Sequence, residues 1–515
     1  MQPAVGKIAE VRAAIERFLL TARQPVAVEP GSDPIAIGAD NFVVSGPAAR
    51  PTIECWSTTM NLVRRISAVR AERRGKLELE TEQFGGRKGS LLLVDMAQPS
   101  NATVPRKSDR LKYREQFRLA LRRQYPDWRI EELSTEQDLQ HTLSPAFPRA
   151  LLRKGSSAMA AIGAATDAQD PDAALSFGLI WLDYLRRRET RLAVGGLIIF
   201  LPIGSEMNTC HRVRFLDPGS AQTAVFVHGP GVEEAVNPAD YTNFSTRLEP
   251  FRSPAYTGTL AEEWIARLAG VEGVQRIARP GGAVSLCVRG VEFARTSGTE
   301  LLFGLDRERH VAGARQIPEV EALARGLARL RHPNVADRKN PLYLRDPEAW
   351  LESQIRGHLA RIDPSLEESP LYSQAPQIAA GERGILDLLA VDDQERLAVL
   401  EIKASEDIHL PLQALDYWMR VQWHLERGDF ARAGYFPGIA LRNQPPRLLL
   451  IAPALQFHPS NETILGFFSS SIQVERIGVG LEWRRDLRIA IRDVSHTISP
   501  TQTRAEQPQP RRRSP

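Results

Sequence analysis

Cysteine is scarce in this sequence: 515 residues hold three, Cys55, Cys210 and Cys287. They are far apart and odd in number, so no disulfide framework organises the chain. No CxxC pair occurs, and Cys210-His211 has no second Cys/His pair to complete a zinc site. Long apolar runs are missing too. The longest, Val194–Ile203, falls well short of the ~20 residues that span a bilayer and contains Pro202, so it reads as a buried strand. The opening MQPAVGKIAEVRAAIERFLL has the pattern of an amphipathic helix with internal charges. It lacks the apolar core and cleavage site of a signal peptide. A cytoplasmic protein with no membrane partner is expected.

A large net charge is also absent, the formal value being +4. The charge is uneven, however. Residues 60–123 carry 16 Lys/Arg against 7 Asp/Glu, and the tail RAEQPQPRRRSP is basic. Basic stretches suit a polyanionic partner, because neutralised phosphates release counterions. A solvated helix face and a disordered tail account for the same charges. What is present is a globular mix, 43% hydrophobic and 25% charged. A chain of this length accommodates roughly three or four domains at ~100–200 residues each.

Residues 1–105 read as a helix, Lys7–Leu20, followed by a mixed region with turn signals at VEPGSDP and SGPAARP. A helix is predicted over Ser57–Arg74, a strand over Gly89–Met96 and a linker over Gln98–Arg106. Residues 106–249 read as a mixed α/β domain. It contains a basic amphipathic helix at Ser108–Tyr125, a strand near Trp128–Leu133, a helix at Ala173–Arg188 and a strand at Val194–Leu201. Residues 250–335 read as a small α+β unit with strands Val284–Val288 and Leu301–Leu305 and a helix Glu319–Leu330. Residues 481–515 form a C-terminal extension.

The pattern sharpens over residues 336–480. Asp346-Pro347 is an N-cap with proline at the first helical position, and the predicted helix runs to Ile362 with Leu351, Ile355, Leu359 and Ile362 as its apolar stripe. A strand follows at Tyr372–Ile378, then Gly384-Ile-Leu-Asp387-Leu-Leu-Ala-Val391, a turn, and Leu397-Ala-Val-Leu-Glu401-Ile-Lys403. A helix from Pro411 to about Leu425 and strands at Arg447–Leu455 and Ile472–Ile477 complete the set. Two of these strands are apolar on both faces, as in central strands beneath helices. Charges placed there cost several kcal/mol per ion unless they are paired or bound to metal. Glu401 and Lys403 share a strand face. A three-residue loop at Asp393–Glu395 would pair Asp392 with Arg396 and set Asp387 opposite Glu401, with Cβ atoms ~5 Å apart. Two carboxylates so placed can share a divalent cation, and hard oxygen ligands favour Mg²⁺ or Mn²⁺.

Gly384-x-x-Asp387, Glu401-x-Lys403 and Gln413-x-x-x-Tyr417 together resemble the three-part signature of RecB-type nuclease domains in the PD-(D/E)xK superfamily. They are also similar to the C-terminal domains of the mismatch-cleaving endonucleases NucS or EndoMS, whose helical Leu-Glu-x-x-Ile is matched by Leu351-Glu352-Ser-Gln-Ile355. A family glutamine before the glycine is matched by Gln374. The resemblance covers under a third of the chain. It implies an α/β, restriction-endonuclease-like fold and an Mg²⁺-dependent deoxyribonuclease. In that family the acidic residues bind metal and the lysine helps activate or orient the attacking water. Those roles would fall to Asp387, Glu401 and Glu352 as ligands and to Lys403. Glu348, one turn from Glu352, competes for the helical-acid role. Gln413, Tyr417, Gly384, Arg383 and Gln374 would support the site or bind DNA. Arg420 and His424 would extend the Gln413–Tyr417 face, and His409 and His424 are expected to face solvent. Residues 106–249 could be a degenerate copy of the same fold. Without an acidic pair followed by ExK, such a copy would be non-catalytic. The alternative function is an inactive nucleic-acid-binding or scaffold protein that keeps the fold.

Overall fold

In a computed structural model, the chain is described from residue 5 to residue 495 apart from loop segments, of which 96–106, 252–259 and 376–385 are the longest. It is a mixed α/β protein, and the described residues form four sheets. A seven-stranded antiparallel sheet over residues 25–95 packs on the helix Val5–Thr21, around Ile15, Phe18, Ile53, Leu77 and Leu93. The predicted helix Ser57–Arg74 is a strand instead, Asn61–Arg73. Its pairing with Lys76–Gln83 contains register shifts between Ile66 and Ala68 and between Val69 and Ala71. Such bulges break strict alternation, so the inward residues Leu62, Ile66 and Val69 recur at spacings that mimic a helix.

Two six-stranded sheets follow. The first runs β6-β5-β4-β3-β2-β1, with β1 Arg129–Ser134, β2 Arg149–Lys154, β3 Ser157–Gly163, β4 Ala193–Pro202, β5 Gln222–Gly229 and β6 Val232–Val236. Its helices are α1 (Lys107–Gln124) before β1, α2 (Ala173–Arg188) between β3 and β4, and α3 (Met207–Val213) between β4 and β5. The second sheet runs β7-β8-β9-β10-β11-β12, with β7 Tyr372–Ala375, β8 Leu386–Val391, β9 Leu397–Ile402, β10 Arg447–Pro453, β11 Val474–Val479 and β12 Ile489–Ser495. Its helices are α4 (Pro347–Gly357), α5 (Leu410–Glu426) and α6 (Ser460–Leu465). The span 336–480 expected from sequence therefore excludes a strand of its own sheet, β12. The predicted helix to Ile362 breaks at His358 and resumes as a short helix, Leu359–Ile362.

The two sheets repeat one pattern. In each, the first three strands are antiparallel, the third, fourth and fifth are parallel, and the sixth is antiparallel. The halves face each other across one apolar core. Leu151, Ala160, Ile162 and Leu197 come from one sheet and Leu389, Val399, Leu448 and Leu450 from the other, with α2, α3, α5 and α6 between them. Outside this layer α1 covers the far face of the first sheet through Phe117 and Leu121. Helix α4 covers the far face of the second through Trp350, Leu351 and Ile355. Helix α2 is apolar nearly all round, as expected of a helix with sheet on one side and helices on the other.

A five-stranded antiparallel meander over residues 274–312, with the helices Leu260–Ala269 and Ile317–Leu330, forms the remaining module. Its hairpin turn rests on α4. A Cβ at Gly290, where φ is +85°, would lie 2.2 Å from the Ala349 carbonyl, so this close approach needs glycine. Buried Arg331 fixes the same contact by donating to the carbonyls of Leu342 (2.7 Å) and Arg289 (2.8 Å), with its guanidinium over Trp350. No helix among the described residues is long and apolar enough to cross a membrane.

Candidate active site

Strands β8 and β9 lie in the middle of their sheet, and every β9 residue is buried. Asp392 N donates to Arg396 O at 2.9 Å, Val391 pairs with Leu397 and Leu388 with Leu400. That register sets Asp387 opposite Glu401. Asp387 Oδ2 accepts a hydrogen bond from Ile402 N at 2.7 Å. Burial, followed by the neighbouring Glu352 charge, pushes the Asp387 carboxyl up to about 8. Burial and Asp387 hold Glu401 well above the usual carboxylate range. Glu401 Oε2 is buried without a hydrogen-bond partner.

Lys403, just beyond β9, places its ammonium 3.7 Å from Glu401 Oε1 and 3.7 Å from Glu348 Oε2. Burial alone would lower its pKa, but Glu401, Glu348 and Asp407 together raise it, so it stays a cation. Helix α4 brings in the acids of its first turns. Asp346 caps it, its side chain accepting from Ala349 N at 3.1 Å, and Pro347 follows at the first helical position. Glu348 and Glu352, one turn apart, then both point to the strand ends. Glu348 meets Lys403, whereas Glu352 is ion-paired with Arg356 and close enough to Asp387 to raise it. Burial raises both helical carboxyls.

Tyr417, on α5, is partly buried against the central core, and burial with the Glu401 and Asp387 charges keeps its hydroxyl protonated. Gln413, a turn earlier, is half-buried. Gly384 and Arg383 lie outside the described residues. Gln374 lies on β7, and its side chain is outside them as well. The rest of the predicted α5 face belongs elsewhere. His424 is buried, hydrogen-bonded to Asp429 (2.7 Å) and Thr246 (3.0 Å), and Arg420 is buried with Nη1 on Asp416 O. His409 is buried too, with Nδ1 2.8 Å from Ser176 Oγ of α2. Neither histidine faces solvent, because the partner half covers this side of α5.

Asp407 escaped the sequence reading. It follows Lys403 in the loop to α5, where no periodicity flags it. Its main chain is tied down by Asn461 Nδ2 (2.9 Å) and its carboxylate caps His409 N (2.7 Å). Its charge acts on both Lys403 and Glu401. Glu406, next to it, lies within electrostatic reach of Arg64 from the N-terminal sheet. Beside Glu352 a cleft of about 300 Å³ separates α4 from the meander and is lined by Arg279, Glu292, Arg309, Arg345 and Arg356.

Among the described residues no group of three or more His, Cys, Asp or Glu side chains forms a ready-made metal cage. Mg²⁺ does not need one: it commonly takes one or two carboxylates and fills its octahedron with water and substrate phosphate. The unpartnered Glu401 oxygen and two crowded carboxyls fit that demand. The cysteines do not: all three are buried free thiols. His211 is buried against the Phe244 ring rather than poised beside Cys210 as a ligand.

On the basic helix α1, Arg118 pairs with Glu115, and Arg123 pairs with Glu233 of β6. Part of the sequence-level charge excess is therefore neutralised within the fold. No family model, curated protein or solved structure matches this chain.

Proposed function

We propose that the chain is a deoxyribonuclease that uses Mg²⁺ or Mn²⁺, with α4 and the second six-stranded sheet acting as a PD-(D/E)xK, restriction-endonuclease-like domain. One observation carries the reading. Two buried carboxyls, Asp387 and Glu401, stand opposite each other on interior strands, both raised by burial, with a charged lysine beyond the second. Perturbed groups gathered by desolvation and specific partners are characteristic of functional sites.

Asp387 and Glu401 would hold the cation, with Glu352 or Glu348 completing the protein's share of its ligands. When bound, the cation acidifies a water and neutralises charge on the scissile phosphate. Lys403 remains protonated and donates to a phosphate oxygen where negative charge develops, a contribution strongest in a water-poor site. The Tyr417 hydroxyl, kept neutral, donates in the same space. Arg279, Arg309 and Arg345 offer contacts to phosphates that flank the cut. A DNA substrate fits the expected cytoplasmic location.

The second reading is a scaffold that binds nucleic acid without turnover. It is favoured by the ion pairs of Lys403 with Glu401 and Glu348, which would also serve a structural role. A cleavage assay on linear, circular, single-stranded and mismatched DNA separates the two. Cleavage that needs Mg²⁺ or Mn²⁺, stops with chelator and is lost in Asp387→Asn supports the nuclease. Absence both of divalent-ion binding by calorimetry and of cleavage leaves the scaffold.

A further inference from the structure

The two six-stranded halves are related by a local two-fold axis. Its centre is the isolated antiparallel bridge between Leu216 and Phe468. Around it, Asp217 N donates to Phe467 O (2.8 Å) and Ser469 N donates to Phe215 O (2.9 Å), so each strand reads the other in the same way. Leu216 follows α3 and Phe468 follows α6, which hold equivalent places in the two halves. Helix α2 packs on α6 as α5 packs on α3. Contacts between the halves are specific as well as apolar: Arg212 of α3 is ion-paired with Asp416 of α5 at 2.7 Å. A two-fold interface uses the same surface on both partners. Here both partners belong to one chain.

This relation identifies the counterparts of the site residues. Lys403 N donates to Ile451 O (2.9 Å), and Ala164 N donates to Phe200 O (2.8 Å). Each is the first such bond beyond the third strand of its sheet, so Ala164 stands where Lys403 stands. Two residues earlier, Ile162 corresponds to Glu401, and both lie on the strand face that meets the central core. Ile162 pairs with Arg149, so Arg149 corresponds to Asp387. The first half thus has Arg, Ile and Ala where the second has Asp, Glu and Lys. Arg149 is 5% exposed, with its guanidinium 5.5 Å over the Trp181 ring and Nε and Nη1 buried without hydrogen-bond partners. A buried cation and an isoleucine in those two places repel a divalent ion and offer it no ligand.

We infer, on the basis of the nuclease reading, that the substrate is duplex DNA and that the enzyme is a nickase: one half hydrolyses one strand while the other half only holds the complementary strand. Duplex DNA has its own two-folds, which exchange its strands, and proteins with two-fold symmetry align with them. A two-fold operation leaves height along its axis unchanged. A duplex aligned on the axis that relates the halves would set one strand towards the live strand ends and the other towards their blank counterparts. With one proposed metal site among the described residues, one encounter breaks one phosphodiester bond.

The test uses the full chain on supercoiled, covalently closed plasmid in Mg²⁺ or Mn²⁺, under single-turnover conditions over a range of enzyme concentrations. The expected result is conversion of supercoiled plasmid to open circle before linear DNA appears, with a product ratio that does not change with enzyme concentration. Asp387→Asn should abolish nicking altogether. Linear DNA forming beside open circle from the first time points would overturn the inference, as would residual nicking by Asp387→Asn, which would expose a second centre. Cleavage confined to single-stranded DNA would overturn it while leaving the nuclease reading intact. No cleavage of any DNA would remove both.

Discussion

Asp387 and Glu401 face each other across β8 and β9, and Asp387 reaches past that pairing to accept from Ile402 N at 2.7 Å. Burial and crowding hold both carboxyls above their unfolded values, which destabilises the metal-free fold at neutral pH, while the amide bond holds the aspartate in position. Replacing Asp387 by Asn keeps an acceptor for Ile402 N and removes that penalty. Without divalent ions, the melting temperature should rise by about 1 °C for each kcal/mol gained, the change expected of a cooperative unit spanning residues 106–495. Cleavage should be lost and divalent-ion binding weakened. Glu401→Gln should behave alike. A marked fall in melting temperature for both variants, measured in chelator, would identify a structural ion pair instead.

Lys403 offsets the carboxylates around it, so its removal should have the opposite signature. Lys403→Met leaves Glu401, Glu348 and Asp387 without their shared cation. Its melting temperature in chelator should fall and be restored by Mg²⁺ more strongly than in the parent protein. Cleavage should drop by ~10²–10³-fold, the usual cost of losing one electrostatic donor to the transition state, with calorimetric Mg²⁺ affinity retained. Wild-type turnover in Lys403→Met would exclude the lysine from the chemistry.

The site was legible in the sequence where local rules decide the geometry. The turn after Val391 fixes the β8–β9 register, a strand period of two puts Glu401 beside Lys403, and Asp346-Pro347 announces the helix bearing Glu348 and Glu352. The limits of α2 could be read directly, because its apolar run and its closing arginines both lie within the helix. Features set by distant contacts could not be read. The burial of His409 needs Ser176, and that of His424 needs Thr246 and Asp429. The N-terminal strand Asn61–Arg73 was misread because its bulges imitate helical spacing. That residues 106–249 could repeat the fold of the second half was legible only as a possibility, because Arg149, Ile162 and Ala164 stand in the places of the candidate site without its residue types.

A separate charge cluster makes a prediction about acid stability. Buried Arg447 donates to Glu475 (2.7 Å) and Ser365 Oγ (3.0 Å) and is ion-paired with Asp363. Burial opposes ionisation of Asp363, but the hydrogen bonds from Ser365 and Arg447 outweigh it and bring the carboxyl down to about 2. An unfolded aspartate titrates near ~3.9, so between these values the unfolded chain binds the extra proton and stability falls as pH falls. The stabilisation is complete above the unfolded value and is lost as pH drops towards the folded one. Asp363→Asn should cost about 3 kcal/mol at neutral pH and flatten the dependence of stability on pH between 4 and 2. Denaturant unfolding across that range checks it; an unchanged slope would place the acid sensitivity in other carboxylates.

The shared core predicts what cannot be cut apart. Leu415, Trp418 and Met419 of α5, with Phe467 and Phe468 after α6, belong to the same apolar cluster as Phe177, Ile180 and Leu201 of the first half. A fragment starting at residue 336 would carry α4, the second sheet and α5, yet leave the inner side of its helices bare. Exposed apolar surface of that extent favours association or loss of fixed packing over a unique fold. Residues 336–495 alone should therefore show weak near-UV circular dichroism, bind a hydrophobic dye and lack a cooperative thermal transition. Residues 106–495, which keep both halves, should melt cooperatively and retain the near-UV signal of Trp181 and Trp418, both buried in that layer. The Trp418 indole donates to Pro446 O (2.7 Å) and Trp181 donates to Ala150 O (2.9 Å), so each indole is held only where its own sheet and the central layer are both in place. Sharp, cooperative melting of the 336–495 fragment as a monomer would show that the second half stands without the first, and the two-fold core would then be a contact between independent domains.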